Sequence, residues 1–350
     1  MVYGCYNTTM RIVIVGNPQS GQQQLFSILT GITLDSIAQK PLEIHKGICD
    51  VRDPRIQKLS QMYKPKKTTF ARIEYLLLPD FNLQGPAKTL VFNELKNADE
   101  ICWVSKNGSA KEDVGNFISE LVISDLMLIE KRLETIQKEQ KKKYSEVREK
   151  ESNLMLRCKK VLDGNGLLKG IEANTEEDVL LRTYQFLTLK PAIAVVNCDS
   201  ENATDKALES SLVKEYNMPV VCINATLEEE IRQMPENERE EFMKELGIEE
   251  PAVDKMTRMV FTGLGLISFF TVGEDEVRAW PVKKGSSAPE AGGSIHSDIA
   301  KGFVRAEMFK YADLMSSGSE AKLKETGKFY LKGRDYIVED ADILNFRFNV

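Results

Sequence analysis

The sequence predicts an α/β fold: a doubly wound parallel sheet, a long helical segment set into it, and a small β-rich domain at the C-terminus. Three observations carry this. Short apolar runs alternate with helical stretches over the first two-thirds of the chain. The first of them, Met10-Arg11-Ile12-Val13-Ile14-Val15, enters a helix through a loop with two spaced glycines. From about residue 266 onward the character changes to short strand-like runs and frequent glycine.

The runs at 12–15, 75–78, 101–104, 192–196 and 220–223 are short and unbroken, the pattern of strands buried on both faces. The loop after the first is Gly16, Asn17, Pro18, Gln19, Ser20, Gly21, and the helix after it opens with Gln22, Gln23 and Gln24. Its G-x-x-x-x-G spacing between strand and helix is that of a phosphate-binding P-loop. A P-loop continues with Lys, which meets the β- and γ-phosphates, and then Ser or Thr, which ligates Mg²⁺. Gln22 and Gln23 hold those two places. Glutamine can hydrogen-bond, but it brings no charge and is a poor Mg²⁺ partner. The outline of a nucleotide site is therefore present without its cation or its metal ligand.

Between the third and fourth runs, residues 116–160 read as helix, with Ile118, Leu121, Leu126, Ile129, Leu133 and Ile136 in three-and-four spacing. Asp163-Gly164-Asn165-Gly166 breaks it, and a second helix is expected from Thr175, with Thr175 as its cap. Residues 130–160 carry eleven Lys and Arg against six Glu. Two readings stand for this charge: a solvated helix face, or a contact with RNA or ribosomal phosphates. Residues 235–251 are acidic and helical, and 261–270 are apolar and lead into the C-terminal domain. Trp103 and Trp280 read as packing residues. The short basic run Lys64-Pro65-Lys66-Lys67 reads as a solvated loop.

The 350 residues allow two or three domains, and 42% hydrophobic content supports real cores. A net charge of −6 gives no global nucleic-acid signature, so DNA is not an expected partner and any RNA contact must be a local patch. The six cysteines, at 5, 49, 102, 158, 198 and 222, include no C-x-x-C pair, which favours reduced thiols. Two histidines, His45 and His296, exclude a His-rich metal site. No run of about 18 apolar residues offers a membrane span. Residues 1–9 lack the pattern of a signal peptide and are expected as a disordered extension, and a cytoplasmic location follows as the expectation.

Longer motifs resemble one family, the YchF or Obg-like ATPases of the P-loop GTPase class. The most specific are C-terminal: Glu276-Val277-Arg278-Ala279-Trp280, Ala288-Pro289-Glu290-Ala291-Gly292, Lys301-Gly302-Phe303-Val304-Arg305-Ala306-Glu307 and Phe346-Arg347-Phe348-Asn349-Val350. Asp53-Pro54-Arg55 and Phe186-Leu187-Thr188-Leu189-Lys190-Pro191 also match. The resemblance implies a P-loop GTPase-like domain over 10–117 and 184–265, a helical coiled-coil hairpin inserted over 118–183, and a β-grasp TGS domain over 266–350. It implies ATP or GTP as ligand and a ribosome or RNA as partner, reached through the helical insert and the TGS domain.

The departures from the family gather at the site. The Asp of the family's Asp-x-Ala-Gly motif falls on Leu77, and its Ala-Gly pair on Pro79 and Asp80. The base-reading Asn-x-Asn-Glu becomes Asn197-Cys198-Asp199-Ser200, keeping the first Asn, with Ala225 in the adjoining loop. Gly16 to Gln24 with Asn197, Asp199 and Ala225 are thus candidate, degenerate nucleotide-binding residues. Neither a catalytic residue nor a metal ligand is assigned, and Mg²⁺ is expected to be weakly held or absent. The reading is a pseudo-NTPase that acts by binding. The alternative is an active ATP or GTP hydrolase with a rebuilt site, for which Lys40, Lys46 and Lys88 are candidate cations. A third possibility is a redox role for Cys198 or Cys222.

Overall fold

The computed structural model describes residues 10–198, 205–248 and 250–349. The expected extension 1–9 and two motif residues, Asp199 and Ser200, lie outside them. Its strands in chain order are β1 (Arg11–Gly16), β2 (His45–Val51), β3 (Lys67–Thr69), β4 (Ala71–Leu77), β5 (Glu100–Lys106), β6 (Ala192–Asn197), β7 (Val220–Ile223), β8 (Leu266–Thr271), β9 (Glu276–Lys283), β10 (Phe303–Lys310), β11 (Tyr330–Lys332) and β12 (Asp342–Phe348). They form two six-stranded sheets, β2-β4-β1-β5-β6-β7 and β11-β10-β12-β8-β9-β3. The chain divides into two compact units, one of Arg11–Gly47 with Tyr75–Ala252, the other of Met10 and Ile48–Glu74 with residues 253–349.

In the first unit β1, β5, β6 and β7 pair in parallel, the arrangement expected of a doubly wound sheet. Ile12, Val13, Ile14 and Val15 are fully buried, which is why β1 reads as an unbroken apolar run. Trp103 of β5 stacks on Phe117 with ring centroids 4.3 Å apart, and Phe81 meets Trp103 edge-on at 5.1 Å. Trp103 is a packing residue, as its sequence context suggested.

The helical segment differs from the sequence expectation in two details. The helix expected over 116–160 is two, Ala110–Lys142 and Glu146–Asp163, folded back at 143–145 into a hairpin. The helix Thr175–Tyr184 is capped by Asn174, not Thr175. The Asn174 side chain accepts from Glu177 N, and Glu177 returns a bond to Asn174 N. A separate apolar cluster that includes Ile129, Leu154, Met155, Leu162, Leu181 and Phe186 holds the hairpin together. Beside it, Arg132 binds Glu151 through two bonds of 2.7 and 2.9 Å, and the Tyr184 hydroxyl donates to the same carboxylate. Asp125 is buried and accepts from Leu187 N at 3.0 Å, Thr188 N at 2.8 Å and Thr188 Oγ1 at 2.7 Å. It anchors the chain just before β6.

The second unit pairs β10 with β12 and β8 with β9 antiparallel, and lays the helix Ala288–Ile295 on the sheet. Phe269, Ala288, Ala291, Phe303, Met308 and Leu344 are in its core. Residues 48–74 group with this unit, whereas the sequence reading assigned them to the P-loop-like domain. Two contacts account for it. β3 extends the sheet through parallel pairing with β9, and Arg55 bridges Asp53 and Asp340 at 2.8 and 2.5 Å.

Candidate functional site, a closed phosphate loop

The loop 16–21 is shaped by backbone demands. Gly21 sits at the N-terminus of the helix Gln22–Thr30 with φ +94°, a left-handed conformation that disfavours side chains. A Cβ there would lie 2.3 Å from the Asn197 amide nitrogen. A Cβ on Gly16 would lie 2.4 Å from Val104 O, 2.5 Å from Ser20 Oγ and 2.8 Å from Gln22 Oε1. Gly21→Ala is accordingly expected to destabilise the protein by roughly 1–3 kcal/mol, read as a fall of several degrees in thermal midpoint. An unchanged midpoint would show that the loop relaxes around the methyl group.

Polar contacts fix the rest. Ser20 N donates to Asn17 O at 3.1 Å, and the Asn17 amide donates to Asp113 at 2.8 Å, where Ser109 Oγ also donates. Phe81 N donates to Gly16 O at 3.0 Å, which ties the segment after β4 to the loop. Asn197 Oδ1 accepts from Ala225 N at 3.2 Å. The structure therefore brings Gly16, Asn17, Ser20, Gly21, Gln22, Asn197 and Ala225 together. Pro18, Gln19 and Gln24 are exposed, and Gln23 is half-buried.

Gln22 decides the character of the site. It is only 3% exposed, and its Nε2 donates to Asp80 Oδ1 at 2.6 Å. Its Oε1 and the Ser20 hydroxyl are buried without a hydrogen-bond partner among the described residues. Partial burial raises the Asp80 carboxyl above the usual carboxylate range, and the bond from Gln22 opposes that rise. The bond was not foreseen from sequence, where Asp80 figured only as a departure from the family's Ala-Gly pair. Beside it a small cleft of about 80 Å³ is lined by Gln22, Gln23, Leu42, His45, Leu77 and Asp80. Leu77 is buried at the end of β4, where an Mg²⁺-supporting carboxylate would stand.

These residues do not fit a Mg²⁺–triphosphate. An amide and a carboxylate are bonded where a free lysine should face the phosphates, and Gln23 and Leu77 stand at the positions where the family's pattern has metal-supporting side chains. The candidate replacement lysines differ in their partners. Lys40 pairs with Glu43 at 2.9 Å and Lys88 with Glu120 at 3.0 Å, while Lys46 is exposed on β2. His45 Nε2 lies 3.0 Å from Lys40 O, and His296 Nδ1 accepts from Asp298 N, so both imidazoles hold local backbone. Cys198 and Cys222 are buried. The hydrogen bond between Cys222 and Cys198, and then burial, raise the Cys222 thiol above its ordinary range, which favours the protonated, less nucleophilic form.

Residues 266–349 match the family model YchF-GTPase_C, described as a protein of unknown function (DUF933). Over 96% of its length the chain is 33% identical to the ribosome-binding ATPase YchF of Bacillus subtilis (strain 168), covering 98% of that protein. The chain belongs to the YchF family. The ribosome-binding ATPase YchF of Escherichia coli O157:H7 is 31% identical with the same coverage. The YchF GTPase of Schizosaccharomyces pombe superposes with a TM-score of 0.82 at 24% identity, over 97% of this chain and 98% of that one, which establishes the YchF fold. The resemblance read from the C-terminal motifs thus holds over nearly the whole chain. The Gln22–Asp80 contact sits inside a fold that its relatives share.

Proposed function

We propose that this YchF-family chain is a pseudo-NTPase that works by binding, with the ribosome as its partner. The Gln22–Asp80 hydrogen bond carries the first half of the reading: it occupies the loop with neutral and acidic groups, and residues 16–24 hold no Lys or Arg to stabilise phosphate charge during transfer. The curated relatives, named ribosome-binding ATPases, support the second half. The helical hairpin offers a contact surface. Most of its cations are paired internally, as in Lys159–Glu130, Arg148–Glu139 and Lys150–Glu146, but Lys141, Lys142 and Lys143 stand exposed at its tip with no ion pair among the described residues. Three adjacent cations at the end of a long helix suit a phosphate backbone. A ribosomal partner places the protein in the cytoplasm. Among the described residues no helix is long and apolar enough to cross a membrane.

Calorimetric titration with ATP and GTP, each with and without Mg²⁺, tests the first half. The expected result is no Mg²⁺-dependent binding. Micromolar affinity that requires Mg²⁺ would overturn it and favour the hydrolase reading, with Lys46 as the first residue to change. Co-sedimentation with ribosomes at physiological salt tests the second half, and should weaken when Lys141, Lys142 and Lys143 are together replaced by Gln.

A further inference from the structure

A cavity of about 340 Å³ lies within the second unit, beside β9. That is the size of a small-ligand pocket and about four times the cleft beside Gln22. Its lining is strongly cationic: Lys67, Arg72, Arg278 and Lys283 face a single carboxylate, Glu290. Glu290 is already engaged, since it caps the helix Ala288–Ile295 by accepting from Ser287 N at 2.7 Å and Ser287 Oγ at 2.8 Å. Arg72 is neutralised by Asp50 at 3.0 Å, and Lys67 lies 3.6 Å from Glu276.

Arg278 is different. Its guanidinium carbon lies over the Trp280 ring, 3.8 Å from the centroid, and its Nε is buried without a hydrogen-bond partner among the described residues. Arg278 and Trp280 alternate with the buried Val277 and Ala279, so both stand on one face of β9. Trp280 is itself held by the bond from its Nε1 to Thr271 Oγ1 at 3.0 Å and by packing on Phe269. The indole therefore presents the guanidinium as a rigid plane with its charge unspent. Lys283, five residues further along the same strand and on its other face, lines the same cavity, is exposed and makes no ion pair among the described residues. A planar, pre-oriented Arg fork matches a phosphate or carboxylate, and its outer face accepts a stacked flat ring. The apolar part of the lining, Phe70 and Leu266 among it, suits the body of such a ligand.

We propose that this cavity binds a nucleoside monophosphate-sized ligand, with its phosphate on Arg278, its ring continuing the Trp280–Arg278 stack, and Lys283 adding positive charge to the same lining. The site is independent of the phosphate loop and needs no metal ion. Binding here is compatible with either outcome of the Mg²⁺ test above, because that test reads metal dependence and this one reads dependence on Arg278.

The experiment is titration of the full chain with AMP in the absence of divalent ions, followed by tryptophan fluorescence and by calorimetry. Inorganic phosphate and ribose 5-phosphate are the ring-free probes. Trp103 is buried in the other unit's core and supplies a constant background, so the signal reports Trp280. We expect saturable AMP binding that weakens with added salt, at least tenfold weaker binding by Arg278→Gln, and weaker binding of ribose 5-phosphate than of AMP. Lys283→Gln, at an exposed position, is expected to weaken AMP several-fold and keeps the test decisive if Arg278→Gln fails to fold. Absence of AMP binding at millimolar concentration, binding unchanged in both variants, or equal affinity for AMP and ribose 5-phosphate would each overturn the proposal.

Discussion

Glu100→Gln is expected to stabilise the protein, and by more the higher the pH. Glu100 opens β5 and is 1% exposed, with one carboxyl oxygen lacking a hydrogen-bond partner among the described residues and Lys169 as the opposing charge. Burial pushes this carboxyl up to about 8, against an ordinary value of 4.5, and Lys169 offsets only part of the rise. The sign follows from proton counting. Below the ordinary value both folded and unfolded chains hold the proton, and Glu100 costs nothing. Between there and about 8 the unfolded chain releases the proton while the folded chain keeps it. Stability therefore falls as pH rises through this window, by up to about 1.4 kcal/mol per pH unit, and levels off above it. Glutamine cannot ionise, so the variant loses this slope. Denaturant titrations from pH 5 to 9 should show the two proteins diverging by several kcal/mol. Parallel stability curves would mean that water or a rearranged partner already solvates the ionised carboxylate.

Asp125→Ala should have the opposite effect, a loss of about 3–5 kcal/mol. The substitution leaves two buried backbone amides, Leu187 N and Thr188 N, and the Thr188 hydroxyl without their acceptor. Burial raises the Asp125 carboxyl, and the three donated bonds work against that rise, so the cluster stands as a mutually dependent group. Asp125→Asn keeps one carbonyl oxygen and should lose less. Hydrogen exchange localises the effect: the amides of Leu187 and Thr188 should lose protection before those of β5 and β6. Uniform loss across the unit would instead mark Asp125 as part of the global core.

How much of this was legible follows from what each element shows to a linear reading. The strands at 12–15, 101–104 and 220–223 were visible because strands buried on both faces are apolar throughout. β2 was not, since its burial alternates along the polar run His45-Lys46-Gly47-Ile48-Cys49-Asp50-Val51. β3 is three residues of Lys and Thr, and it is a strand only because β9 offers it an edge. The hairpin turn at 143–145 contains neither Gly nor Pro, so nothing local announced the break in the long helix. The glycine spacing of the loop and the missing lysine were plain. The Gln22–Asp80 contact was not, because it joins residues 58 positions apart and exists only once β1 and β4 lie in one sheet.

That same contact makes the loop hard to convert back. A lysine restored at position 22 alone would arrive within reach of the Asp80 carboxylate and be held there as an ion pair, its charge spent before any phosphate came near. Changing Asp80 alone would strand a buried amide. Restoring a hydroxyl at 23 or a carboxylate at 77 gains nothing while either condition holds. Each single step toward a working site is neutral or harmful, and only several together are useful. The two residues are thus coupled: a change at position 22 and a change at position 80 are expected to be tolerated together better than either alone.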